Sequence, residues 1–161
     1  ANIPSDLFYG QVTLHKNSST KSTVSNELQI IRKTSIFQLS TKGLIKYLGS
    51  NAGNFEYRIK NTKSSLDYNG NPTGEEVEFA SFDEKGNLTT EAQAIFPAQN
   101  ITIELYKDGD LIFSSEKDKN GELFAANPGK RTEITFKYSG EVSANIVIAD
   151  WATVIQHITL N

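Results

Sequence analysis

Three observations predict an all-β fold. β-Branched and aromatic residues are prominent, with nine Phe and six Tyr in 161 residues, and such side chains suit a pleated, half-buried surface. Apolar and polar residues alternate in short runs, the period of a strand with one face turned inward. Between the runs stand clusters of Gly, Asn and Asp, which tolerate left-handed backbone and so close turns. The length suits a single domain with a core large enough to fold without covalent staples.

The strands are read in chain order. "LFYGQVTLHK" and "SNELQIIRK" are two strands separated by the polar run "NSSTKST", and "SIFQLS" is a third. "GLIKYLGS" fits a strand or a short helical turn equally well. "NFEYRIKNT" places Phe55, Tyr57 and Ile59 on one face, and "EEVEFASFD" does the same with Val77 and Phe79 before a turn at "EKGN". "TTEAQAIFPA" has the best helical propensity in the chain and is stopped by Pro97, which lacks an N–H to donate.

From residue 100 onward the pattern is clearest. Ile101, Ile103 and Leu105 alternate with Thr102, Glu104 and Tyr106, and Asp108-Gly109 is a two-residue hairpin turn leading into "LIFSS". Asn120-Gly121 marks a second turn, and "NPGK" is a loop. "TEITFKYSG" then puts Ile134, Phe136 and Tyr138 on one face. Strands at this spacing form a meander of the kind found in sandwiches. After a connection containing "SANIVIAD", the chain ends in "DWATVIQHITLN", which keeps strand character to its last residues. Chain ends ordinarily fray, so an end of this kind is expected to be held by something.

Composition narrows the chemistry. The net charge is −3 with no block of like charge, which opposes nucleic-acid binding, since that needs clustered Lys and Arg. There is no Cys, hence no disulfide, thiolate nucleophile or cysteine metal site. No apolar stretch approaches the length of a membrane-spanning helix. The absence of Met and the start at Ala1 fit a mature form left by signal-peptide removal, although loss of an initiator Met exposes alanine equally well.

Candidate catalytic and metal sets are thin. His15 and His157 are the two histidines, and a zinc site would need further ligands. "KDGD" and "DKNGE" resemble fragments of calcium loops but lack the full ligand pattern, and read as hairpin turns. No serine stands in a G-x-S-x-G elbow, no Gly-rich phosphate loop occurs, and the acidic pairs Glu75-Glu76 and Asp83-Glu84 fall near turns. No enzyme and no cofactor are implied. Three N-x-S/T sequons begin at Asn17, Asn87 and Asn100, and bear on structure only in a glycosylating host. Trp151, the single tryptophan, is a candidate for stacking on a sugar ring and equally for packing at a core edge.

Both ends carry a resemblance. The chain opens with Phe8-Tyr9-Gly10-Gln11-Val12. It closes with Phe136-Lys137-Tyr138, a loop, and then Ala152, Val154, Gln156, Ile158 and Leu160 on one face. This arrangement resembles the subunits of bacterial chaperone–usher fimbriae, with Leu160 in place of the usual penultimate aromatic.

The resemblance implies an immunoglobulin-like β-sandwich, incomplete and completed by a donor strand from a partner. Residues 1–9 would be the N-terminal extension, with Ile3, Ser5 and Leu7 as donor positions, and residues 10–161 the sandwich domain. Val154, Ile158, Leu160 and Asn161 would form the acceptor groove and chaperone-binding edge. The implied partners are a periplasmic chaperone, an outer-membrane usher and neighbouring fimbrial subunits. A host glycan or glycoprotein receptor would be met through Trp151. The implied setting is secretion through the periplasm to a cell-surface fimbria, as a minor or tip subunit contributing to adhesion. The alternative expectation is a self-contained secreted β-sandwich that binds carbohydrate or protein.

Overall fold

The computed structural model describes residues 4, 6–13, 24–43, 46, 55–83, 89–138, 142–150 and 154–160. Its strands are β1 (Phe8–Tyr9), β2 (Val24–Arg32), β3 (Ser35–Lys42), β4 (Phe55–Leu66), β5 (Pro72–Asp83), β6 (Gln93–Ile95), β7 (Thr102–Lys107), β8 (Asp110–Ser115), β9 (Lys130–Tyr138), β10 (Val142–Asp150) and β11 (Val154–Leu160). The all-β expectation holds, and the architecture is a sandwich. One four-stranded sheet has the order β10-β9-β3-β6 and the other β5-β4-β7-β8, while a three-stranded sheet, β1-β2-β11, carries both chain ends.

The alternation read from sequence is the alternation of burial. Phe55, Tyr57 and Ile59 of β4 face inward, as do Ile103 and Leu105 of β7 and Ile134 and Phe136 of β9. They meet Phe37 and Leu39 of β3, with Phe79, Ile95 and Phe124 completing the layer between the two sheets. Phe136 lies at the aromatic centre, its ring 4.7 Å from Phe113, 5.8 Å from Tyr57 and 6.0 Å from Phe124. Such tilted and edge-on ring pairs add to the gain from burial.

The turns also follow the sequence. Asp108 and Gly109 both adopt positive φ, 51° and 91°, which joins β7 to β8 with the twist a hairpin needs. The "DKNGE" turn is closed by its own aspartate. Asp118 Oδ1 accepts from the backbone N–H of Asn120 at 2.7 Å and of Glu122 at 2.9 Å. "DYNGN" repeats the device, with Asp67 Oδ1 accepting from the N–H groups of Asn69 and Asn71, each at 2.8 Å. These carboxylates are occupied in holding backbone, which is the hairpin role expected of such sequences. For Asp118, partial burial opposes ionisation, but the bonds it accepts outweigh this and hold its carboxyl below the usual range.

Three segments differ from expectation. "LFYGQVTLHK", expected as one strand, is strand only at Phe8–Tyr9, with no strand over residues 10–13 and residues 14–16 outside the described residues. "SANIVIAD", read as part of a connection, is β10 and pairs antiparallel with β9 from Val142↔Tyr138 to Asp150↔Lys130. Its consecutive β-branched residues, Ile146 to Ile148, favour a strand. "TTEAQAIFPA" forms no helix: Gln93–Ile95 is β6, pairing with β3 through Ser35↔Ile95 and Phe37↔Gln93. Burial of Ile95 against the sandwich overrides a helical propensity worth only tenths of a kcal/mol per residue. "GLIKYLGS" falls mostly outside the described residues.

Candidate functional site

The end of the chain is a strand and it is held, as its sequence suggests. β11 pairs antiparallel with β2 from Val154↔Ile30 through Ile158↔Asn26 to Leu160↔Val24. β2 lies between β1 and β11, so among the described residues β11 pairs with a strand on one side alone. The opposite side presents backbone N–H and C=O groups in a row, the usual template for adding another strand.

This sheet is joined twice to the sandwich. β2 leads into β3 through Lys33 and Thr34, and β10 leads into β11 through residues 151–153. The strand bearing Val154, Ile158 and Leu160 belongs to neither of the two four-stranded sheets. It pairs with β2 in the sheet formed by the chain ends. Trp151 and Asn161 lie outside the described residues, as do Ile3, Ser5 and His15. His157 stands opposite Glu27 in the β11–β2 register.

Leu7 is described, and its backbone is engaged by its own chain. Its carbonyl accepts the Lys33 N–H at 2.7 Å, and its N–H lies 3.5 Å from Thr34 Oγ1. Asp6 next to it pairs with Arg32, at 2.8 Å from Nε to Oδ1 and 2.8 Å from the second guanidinium nitrogen to Oδ2. This two-point geometry gives direction as well as energy. Asp6 Oδ1 also accepts from Thr34 Oγ1 at 3.1 Å. Phe8 and Tyr9 continue the docking by pairing with Arg32 and Ile31. The Arg32 guanidinium sits 4.7 Å from the Phe8 ring and Lys33 Nζ 5.2 Å from the Tyr9 ring, both within cation–π range.

Gly10 explains the opening motif in physical terms. A Cβ there would lie 2.7 Å from the Gln29 carbonyl oxygen and 2.8 Å from Ile30 Cγ2, so only glycine lets the arm lie against β2. Gly10→Ala is expected to lift the arm. The measurement is amide exchange at residues 7–9, which should speed up while the sandwich strands keep their protection. Unchanged exchange there would show that the arm does not depend on this contact. Gly10 stands in the opening Phe8-Tyr9-Gly10-Gln11-Val12 motif, whereas Asp6 and Arg32, which latch the arm, carry no sequence signal because their partnership spans 26 residues.

Around the arm lie apolar side chains in contact with solvent: Leu7 is 39% exposed, Phe8 37%, Val12 41% and Ile31 48%. The outer face of the β5-β4-β7 sheet has a different character. Lys60 Nζ is 2.7 Å from Glu104, Arg58 is 3.6 Å from Glu78 and bonded to Glu56, and the Arg58 guanidinium lies 4.1 Å from the Tyr106 ring. Burial opposes ionisation of Glu104, but bonds from Lys60 and Tyr106 prevail and hold its carboxyl below the ordinary range. Its charges satisfy one another, whereas the terminal sheet combines exposed apolar side chains with a border strand.

Residues 1–157 match the family model of the fimbrillin-A associated anchor proteins Mfa1 and Mfa2. The chain belongs to this fimbrial family. It is similar in fold to two solved structures, each provisionally named a cell adhesion protein. For the one from Bacteroides uniformis the TM-score is 0.57 at 16% identity, covering 76% of this chain and 52% of that one. For the one from Bacteroides ovatus the TM-score is 0.52 at 11% identity, covering 90% of this chain and 66% of that one. The chain thus spans about half to two thirds of the length of these neighbours. No curated protein matches it.

The fimbrial character implied by both chain ends is therefore right, and the class is corrected: the family is not that of the chaperone–usher pilins. The chaperone and usher implied by that resemblance are not carried over. Among the described residues no helix is long and apolar enough to cross a membrane.

Proposed function

We propose that the chain is an anchor or accessory subunit of a cell-surface fimbria, and that it joins its neighbours by strand addition at the free side of β11. The observation that carries this reading is the position of the last strand: paired with β2 on one side and at the border of its sheet. Strand addition draws affinity from main-chain hydrogen bonds and specificity from alternate side chains. In this reading Val154, Ile158, Leu160 and Asn161 mark the receiving edge, and the incoming strand comes from a neighbouring subunit. Ile3, Ser5 and Leu7 belong to the arm this chain would donate in turn. Donation requires Leu7 to leave Lys33 and Asp6 to leave Arg32, so the arm described above is the closed state.

Removal of residues 154–161 tests the proposal. The two four-stranded sheets contain no residue of β11, so the truncated chain should keep the main unfolding transition within a few degrees. Incorporation into fimbriae, read by co-purification with the other subunits from cells, should be lost. Normal incorporation of the truncated chain would overturn the reading.

A further inference from the structure

The β4–β5 hairpin outruns its sheet. β4 pairs with β7 only over residues 55–60, and beyond a register shift between Ile59 and Thr62 it pairs with β5 alone, out to Leu66↔Pro72. The overhanging arm and the loops around residues 97–100 and 128 enclose an open cleft of about 710 Å³. Asn61 stands where the strand bends, at a φ of 62°. Its Nδ2 donates to the Asn100 carbonyl at 3.2 Å and to Thr102 Oγ1 at 2.9 Å, which pins the arm to the loop. Asn100 is also left-handed, at 56°. Asparagine tolerates this region better than other residues with a Cβ, so both positions hold the bend that shapes the cleft.

We propose that this cleft binds a short neutral oligosaccharide. Its polar groups are mostly side-chain amides, each with a donor and an acceptor in one plane, which matches hydroxyls that donate and accept at once. The exposed Asn100 amide makes no hydrogen bond among the described residues. Gln99 donates through Nε2 to Asn127 Oδ1 at 3.2 Å, leaving its carbonyl oxygen to a ligand. The charges lining the cleft are Lys63 and Glu76, paired with each other at 3.4 Å, so neither an anion nor a cation is favoured.

Pro97 also lines the cleft but is buried, so Pro72 and Pro128, both exposed, supply its apolar surface. Their rings have no rotamer freedom to lose on binding and can lie against the C–H face of a sugar. The volume falls within the roughly 300–1,000 Å³ typical of small-molecule sites. The overhanging part of β4 leaves a short strand edge beside the cleft, so an extended peptide is the competing ligand, while the amides of Gln99 and Asn100 on the loop opposite favour a sugar. The cleft shares no residue with the terminal sheet, so this proposal stands or falls separately from the assembly reading.

The test is binding of the full chain to an array of neutral di- to tetrasaccharides built from hexoses and N-acetylhexosamines. Titration calorimetry on the best binder follows, with Asn100→Gly and Gln99→Ala. Asn100→Gly preserves the left-handed backbone and the carbonyl that Asn61 needs while removing the amide. Each variant is expected to weaken binding up to roughly tenfold, the value of one hydrogen bond to a ligand, with the unfolding midpoint unchanged. Absence of binding to every saccharide would overturn the proposal. So would undiminished binding by the double variant, which would place the sugar elsewhere, Trp151 included, or displacement of the saccharide by extended peptides in general.

Discussion

Phe136→Ala is expected to lower the unfolding free energy by about 3–5 kcal/mol, the range for removing a fully buried aromatic and leaving a cavity. Phe136 is fully buried, and its ring touches residues from both layers: Tyr57 of β4 and Phe113 of β8 in one sheet, and Phe124 in the segment before β9. Relaxation into the void is restricted because Tyr57 and Phe113 are fixed by their strands and Phe124 by backbone bonds to Glu116 and Ile101. Phe136→Leu retains most of the volume and should cost less than about 1.5 kcal/mol if the core repacks around it. Urea unfolding followed by far-ultraviolet circular dichroism measures both, and the midpoint should fall with an unchanged slope. Against a total of about 5–15 kcal/mol for a natural domain, the alanine variant would be marginal at 37 °C. A loss below about 1 kcal/mol would show that the two sheets do not close on this residue.

The same residue shows how much of the fold the sequence makes legible. Ile134 and Tyr138 flank Phe136 at a spacing of two, which places it on an inward face whatever its partners. Clean alternation makes a strand legible in this way, and the Asp108-Gly109 turn follows from the backbone freedom of two adjacent residues. The failures have a common physical origin. β10 lacks alternation, because Ile146, Val147 and Ile148 are consecutive, and Ile148 is half exposed. β6 is three residues long, too short for any period, and is made a strand by β3 beside it. Pairing partners are set by contacts between distant parts of the chain, which a local pattern does not carry.

The candidate sites divide along the same line. The strand character of residues 154–160 was legible, but its pairing was not: β2 is more than a hundred residues away in the chain. The Asp6–Arg32 latch and the clamp of Asn61 on Asn100 each join positions separated by 26 and 39 residues. Some signal for the cleft was present, since Asn71-Pro72 and Asn127-Pro128 are turn-initiating pairs. Those pairs mark where loops occur and are silent on which loops meet. The terminal motifs resemble those of fimbrial subunits but are too short to separate one fimbrial class from another.

Alkaline titration is expected to unfold the protein through Tyr57 and Tyr138. Tyr57 is fully buried, Tyr138 partly so, and neither hydroxyl has a hydrogen-bond partner among the described residues. Burial pushes the Tyr57 hydroxyl well above its ordinary value; the Thr41 hydroxyl beside it offsets part of this without reaching hydrogen-bond geometry. Burial pushes Tyr138 up to about 12. Both shifts favour the protonated form in the folded state. Below pH ~10 folded and unfolded chains carry the same phenol protons, and stability is independent of these groups. Between pH ~10 and the raised folded values the unfolded chain ionises first and binds fewer protons. Stability therefore falls as pH rises, by about 1.4 kcal/mol per pH unit for Tyr57, with a smaller share from the less buried Tyr138. Tyr57→Phe removes the ionisable group while keeping the ring against Phe136. It should change stability at pH 7 by less than about 1 kcal/mol, since the hydroxyl lost was unpartnered, and should flatten the decline above pH 10. Urea midpoints measured from pH 7 to 11.5 decide the matter: an alkaline limb equally steep in wild type, Tyr57→Phe and Tyr138→Phe would remove both tyrosines from the account.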